Sequence, residues 1–172
     1  SGNGGPVKVA ISHDDKLVVG GTFSTISGIH AANIAMWDDV AWSELGGGVN
    51  GPVNCVMGVG SAVFVGGRFD GPGSTASKNI ARWENNAWEG LGIGADGTVN
   101  AFALFDGKLA VAGDFSSIDG VSTGQVALYD VNQIAPIPLG VGSLSKVNAL
   151  ASWSNYLVAG GTASVGGRVY RW

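Results

Sequence analysis

The chain has 172 residues, 45% of them hydrophobic, 13% charged and 30 of them glycine, with a formal net charge of −4. That apolar content excludes a disordered tail, and the missing Gly-X-Y period excludes collagen. The acidic balance, without a basic stripe, argues against nucleic acid as a partner. No run reaches the roughly 20 apolar residues of a spanning helix, so this segment is expected to hold no membrane span.

In chain order, Val7, Val9 and Ile11 alternate with Lys8 and Ala10, the period of a strand with two unlike faces. His13-Asp14-Asp15 reads as a turn. Lys16 to Phe23 is a continuous apolar run ending in a glycine pair, as in a strand buried on both faces. A long polar loop is expected over 24–32. A third strand follows over Asn33 to Trp37 and a fourth over Ala41 to Leu45, after which Gly46 to Gly51 leads back inward. Four short strands with a turn about every ten residues predict an all-β unit.

The unit recurs. Gly20-Gly21-Thr22-Phe23 returns as Gly66-Gly67-Arg68-Phe69, as Ala112-Gly113-Asp114-Phe115 and, degraded, as Gly160-Gly161-Thr162-Ala163. The spacings of 46 to 48 residues are those of a four-stranded propeller blade. Blade repeats are assigned to 5–50, 51–96, 97–144 and, incomplete, 145–172, which makes a partial β-propeller of about three and a half antiparallel blades. In the third repeat the fourth strand, Ile134 to Leu139, carries Pro136 and Pro138 and must therefore be an edge strand. Phe23, Phe69 and Phe115, with Trp37, Trp83 and Tyr129, recur at fixed phase and are expected to fill the space between blades. Trp42 and Trp88, on the outer strand, are expected to be partly exposed.

The repeated pattern is Gly-Gly-X-Phe, polar loop, Asn-Ile-Ala-X-Trp, then X-Trp-X-X-Leu-Gly-X-Gly and (Asn/Asp)-Gly-X-Val. It resembles kelch-like propeller repeats and, more narrowly, the Rax2-like cell-polarity and cell-surface repeat family. The resemblance spans essentially the whole chain. It implies a scaffold at the cell surface, in adhesion, cell-wall or polarity functions, and supplies no catalytic motif to carry over. The last repeat departs from the pattern, with Ala163 in place of Phe and a middle loop shortened to Ser164-Val165-Gly166-Gly167.

Few chemical sites stand out. His13 and His30 have no Cys or His at ligand spacing, so structural zinc is not expected. The glycine-rich stretches precede strands and lack the helix N-terminus that holds phosphate. Cys55, the one cysteine, lies in an apolar strand and reads as a small buried hydrophobe. No cofactor is expected. Calcium is the weak exception, because Asp70, Asp114 and Asp119 lie in or beside the middle loops without Asp-X-Asp-X-Asp-Gly clustering.

Loops 24–32, 70–78 and 116–124 and connections 46–51, 92–97 and 140–145 should open on one face of the disc. Their sequences vary while the strands do not, so recognition is assigned there, with His30, Asp70, Lys78 and Asp119 as contact residues.

The sequence thus points to a noncatalytic scaffold segment of a larger extracellular or cell-surface protein, acting in assembly or adhesion. The paucity of Lys and Glu, beside much Gly, Ser, Asn and Trp, leans the same way on location. One alternative is a glycan-binding lectin propeller, whose contacts should repeat from blade to blade; yet His30 aligns with Ala76, and Lys78 with Ala32. The other is part of an enzyme whose active site lies elsewhere in the polypeptide. Ser1 to Val7 aligns with Gly47 to Val53, and Trp172 aligns with Tyr129. Further blades, or another subunit, are therefore expected to cover both ends.

Overall fold

The computed structural model describes residues 4–73, 75–131, 135–139, 144–163 and 166–171. The first blade comprises β1 (Val7–His13), β2 (Lys16–Gly21), β5 (Ile34–Trp37) and β6 (Trp42–Glu44), with a small hairpin of β3 (Thr25–Ile26) and β4 (Ile29–His30) between β2 and β5. The second comprises β7 (Val53–Val59), β8 (Ala62–Gly67), β9 (Ile80–Glu84) and β10 (Ala87–Gly90). The third comprises β11 (Thr98–Phe105), β12 (Lys108–Asp114), β15 (Val126–Asp130) and β16 (Ala135–Pro138), again with a hairpin, β13 (Ser117–Ile118) and β14 (Val121–Ser122). The fourth sheet holds β17 (Leu144–Trp153), β18 (Tyr156–Ala163) and β19 (Gly166–Arg171). Each sheet is antiparallel with strands in chain order, so every connection is a local hairpin.

The polar loop expected over 24–32 contains a hairpin, and so does its counterpart in the third blade. The reason is in the turns. Ser27-Gly28 and Asp119-Gly120 all take positive φ, the geometry of a two-residue hairpin, between apolar pairs Ile26/Ile29 and Ile118/Val121. The second blade has Gly71-Pro72-Gly73 there and forms no such hairpin among the described residues. Of the shortened loop in the last repeat, Ser164 and Val165 lie outside the described residues, as do 140–143 of the last connection.

β16 is the outermost strand of its sheet, as its prolines require. Pro136 and Pro138 are two residues apart, so their missing N–H groups fall on one side of the strand, and Ile137 is left to pair with Leu128.

Blades pack face to face. The forward face of the first blade, including Val18, Ile34 and Leu45, meets Val53, Val63 and Val65 of the second. Phe64, Ile80 and Leu91 of the second meet Phe102, Leu109 and Val111 of the third. Ala103, Ala110 and Val126 of the third meet Val147, Leu157 and Ala159 of the fourth. Each fully buried Val, Leu or Phe in these seams contributes about 1.5–3 kcal/mol, which is why a single blade cannot stand alone.

Phe23, Phe69, Phe115 and Tyr129 are buried as their phase predicted. Trp37 and Trp83 are only half-buried, like Trp42 and Trp88, although Trp83 does fill the first seam, where a Cβ on Gly46 would lie 2.4 Å from its ring. Register explains it, because Trp37 lies opposite Trp42 and Trp83 opposite Trp88. The indoles pack on one another at 5.6 and 5.2 Å between ring centroids. The second pair also leans on the preceding blade, with Trp88 Nε1 donating to the Leu45 carbonyl at 2.8 Å.

One irregularity recurs in every blade. The pairing of the two innermost strands shifts by a residue at Val7/Val9, Val53/Cys55, Val99/Ala101 and Val147/Ala149. The extra residue of each bulge is Lys8, Asn54, Asn100 or Asn148. Bulging frees its side chain to reach sideways. Asn54 Nδ2 donates to the Val99 carbonyl at 3.2 Å, and Asn100 Nδ2 to the Val147 carbonyl at 2.8 Å, each in the next blade. Lys8 Nζ donates to Asn54 Oδ1 at 3.2 Å.

Candidate functional site

The Asn of Asn-Ile-Ala-X-Trp builds the floor of the loop face. Asn33 and Asn79 sit at φ 65° and 64°, the left-handed region that Asn tolerates better than most residues. Asn79 Nδ2 donates to the Ala95 carbonyl at 2.9 Å, and its Oδ1 accepts the Phe69 N–H at 3.0 Å. Asn33 Nδ2 donates to the Val49 carbonyl at 2.7 Å. Each side chain ties the middle loop to the connection leaving its own blade.

The Asn/Asp-Gly of the next motif supplies a second latch. Asn50 Oδ1 accepts the Asp70 N–H at 2.9 Å. At the same phase one blade on, Asp96 Oδ1 accepts the N–H groups of Ser116 and Ser117 at 2.8 and 3.0 Å. Ser116 Oγ adds a bond to Asp96 Oδ2 at 2.5 Å. Desolvation works against the charged form, but these donors outweigh it and hold the Asp96 carboxyl below the usual carboxylate range.

Between these latches a cleft of about 750 Å³ opens across the second and third blades. Its charged lining is Arg68, Asp70, Lys78, Asp96 and Asp114, with Asn50 beside them. All five charged side chains are exposed. Two cations and three carboxylates interleave, so the cleft offers donors and acceptors of both signs. Among the described residues no His, Cys or Tyr lines it. The arrangement suits polar recognition.

The structure brings Asp70 and Lys78 together in this cleft. His30 is elsewhere, exposed on β4 with Nδ1 3.6 Å from Glu44 Oε2. Asp119 is also elsewhere, and it is engaged. Its Oδ1 accepts the Ile93 N–H at 3.0 Å, and its own N–H donates to the Gly94 carbonyl at 2.7 Å, which fastens the β13–β14 turn to the end of the second blade. Arg68, Asp96 and Asp114 were not singled out as contacts from the sequence. Arg68 and Asp114 hold the third place of Gly-Gly-X-Phe, and Asp96 opens Asn/Asp-Gly, so each occupies a repeated position whose direction only the fold reveals.

For calcium, Asp70 and Asp114 share the cleft while Asp119 does not. Among the described residues no three His, Cys, Asp or Glu side chains gather so as to hold a metal ion. His13 ends β1, and its ring packs so closely on Gly58 of the second blade that a Cβ there would lie 2.2 Å from Nδ1. Asp14 and Asp15 alone make the turn, at φ 50° and 57°. Cys55 is buried in the seam between the second and third blades, and burial pushes its thiol pKa up, away from the reactive thiolate.

Sheets of four short antiparallel strands, stacked seam to seam around a row of bulged inner strands, define a β-propeller, here partial. No family model matches the chain, and no curated protein matches it. Solved structures do. The chain is similar to the computationally designed Ika4 protein at 20% identity and a TM-score of 0.66, covering 100% of this chain and 94% of that one. It is similar to the WD40 propeller domain of Doa1 at 12% identity and a TM-score of 0.61, covering 95% of this chain and 49% of that one. For U3-55K the values are 18% and 0.62, with 99% and 50% covered. These likenesses establish the fold, and the chain spans about half the length of the two WD40-type structures.

Proposed function

We propose that this chain is a noncatalytic propeller scaffold of the extracellular space or cell surface, acting in protein assembly or adhesion, in the manner of the Rax2-like and kelch-like repeats its motifs resemble. The observation that carries the reading is the mixed-charge cleft on the loop face, built by latches that repeat and lined by side chains that do not. At the third place of Gly-Gly-X-Phe stand Thr22, Arg68 and Asp114, so each seam presents a different chemistry to a partner. A repeated glycan site would need the same contacts in every blade.

The test is capture of proteins from the culture fluid of expressing cells, by photo-crosslinking to the immobilised chain and to its Arg68→Glu/Lys78→Glu variant. The expected result is a defined set of crosslinked proteins that falls at least tenfold with the variant. An unchanged set, or strong and sugar-competable binding on a glycan array, overturns the reading.

A further inference from the structure

Charged side chains of both signs share the loop-face cleft, and among the described residues none of them makes an ion pair. Elsewhere on the chain opposite charges do pair, as where Arg82 Nη2 lies 2.5 Å from Glu89 Oε2. In the cleft the latches set where each charge stands. The Arg68 N–H is tied to the Pro52 carbonyl and the Asp70 N–H to Asn50, while Asp96 spends both carboxylate oxygens on Ser116 and Ser117. Arg68, Lys78 and Asp114 are left exposed with no ionic partner.

The signs are sorted by blade. Arg68 follows β8 and Lys78 precedes β9, so the two cations flank the middle loop of the second blade. Asp70 in that loop offsets only one of them. Asp96 leads into the third blade and Asp114 ends its β12, so that side is negative.

The negative side is deepened by one departure from the repeat. Gln125 stands at the phase of Asn33 and Asn79, its carbonyl accepting the Gly113 N–H at 3.1 Å as theirs accept the N–H groups of Gly21 and Gly67 at 2.9 and 3.0 Å. Its side chain is one carbon longer than theirs. Its Oε1 is buried without a hydrogen-bond partner, beside Asp96, Asp114 and Ser116 in a pocket of about 280 Å³. The pocket shares Asp96 and Asp114 with the cleft and continues it. An acceptor with no donor, next to a free carboxylate, suits an incoming cationic side chain rich in N–H groups.

We propose that the cleft binds an extended segment of a partner protein carrying a basic and an acidic side chain one residue apart. The basic side chain enters the acceptors of the third blade, and the acidic one lies against Arg68 and Lys78 of the second. Packed sheets stand about 10 Å apart, so a ligand must hold its two charges well separated to meet both sides. A free amino acid carries its ammonium and carboxylate on one carbon and is too short, and a neutral glycan carries neither. In an extended chain, side chains two positions apart point the same way at about 7 Å, and their length covers the rest. Because the latches hold the lining in place, little ordering is lost on binding. The inference rests on the loop-face reading above and names the chemistry of its partner.

The experiment titrates the 172-residue chain with short capped peptides of Gly, Ser and Tyr, followed by amide NMR. Their centres are Arg-Ser-Glu, Glu-Ser-Arg, Arg-Ser-Arg, Glu-Ser-Glu or Ser-Ser-Ser. One of the two mixed-sign peptides should bind about tenfold tighter than the like-charged and uncharged ones, with shifts at the cleft residues and a steep loss in salt. Asp114→Lys should pass that advantage to Glu-Ser-Glu, and Arg68→Glu should pass it to Arg-Ser-Arg. Both side chains are exposed and unpaired, so the urea midpoints should not move. The proposal is overturned if no peptide binds, if charge does not order the affinities, or if the two reversals leave that order unchanged. Those outcomes leave the crosslinked proteins of the earlier test standing, so this inference can fail while the loop-face reading survives.

Discussion

Asn79→Ala tests the reading of the loop face most directly. The substitution strips the Phe69 N–H and the Ala95 carbonyl of their partner. Leaving a buried backbone group unsatisfied costs about 1–3 kcal/mol. Alanine at φ 64° adds about 1 kcal/mol of left-handed strain that asparagine offsets in part. The site is half-buried, so water recovers some of this, and the expected loss is about 2–4 kcal/mol. Asn79→Gly removes the strain and should cost about 1 kcal/mol less. Asn33→Ala breaks one such bond instead of two and should be milder by about 1 kcal/mol. Urea unfolding followed by tryptophan fluorescence measures all three. The reasoning fails if Asn79→Ala lies within 0.5 kcal/mol of wild type (roughly the scatter of a neutral surface change), or if Asn33→Ala costs more.

Two further outcomes follow from the latches and the aromatic pairs. The native Asp96 carboxyl titrates below its unfolded value of about 3.8, so its stabilisation is complete above that pH and is lost as pH falls through the native value. Acid titration of the urea midpoint should show this loss in wild type, and Asp96→Asn should flatten it, since Asn50 already serves the same role one blade earlier. An unchanged slope would refute the latch. Trp88→Phe keeps the ring packing but removes the donor to Leu45, and should lower stability by about 1 kcal/mol. Trp42→Phe should cost much less, because Trp42 Nε1 makes no such bond among the described residues; equal losses in the two urea curves would contradict the assignment.

The comparison of residues with roles shows where sequence reading stops. Apolar alternation, the 46-residue period and the prolines of β16 led to the sheets and their order, because each acts through local backbone geometry. The hairpins of the first and third blades were also legible, as Ser-Gly and Asp-Gly between apolar pairs, but the polarity of the loops hid them. Asp119 looked like a contact residue and is a structural latch, since the Ile93 N–H it binds belongs to a segment 26 residues earlier. Trp83 read as filler between blades and does pack into the first seam, but its cross-strand pairing with Trp88, which leaves both rings half-buried, was not legible.

By itself, then, the sequence determined a four-stranded all-β unit, its repetition and its edge strand. Those depend on the period of side chains along one strand and on residues that cannot donate a hydrogen bond. Only the tertiary structure decided that Arg68, Asp70, Lys78, Asp96 and Asp114 share one cleft, and that Val53 and Val99 fill the space over Gly20 and Gly66 of the preceding blades. Those relations run between blades, through side chains that a repeat alignment places at equal phase but cannot place face to face.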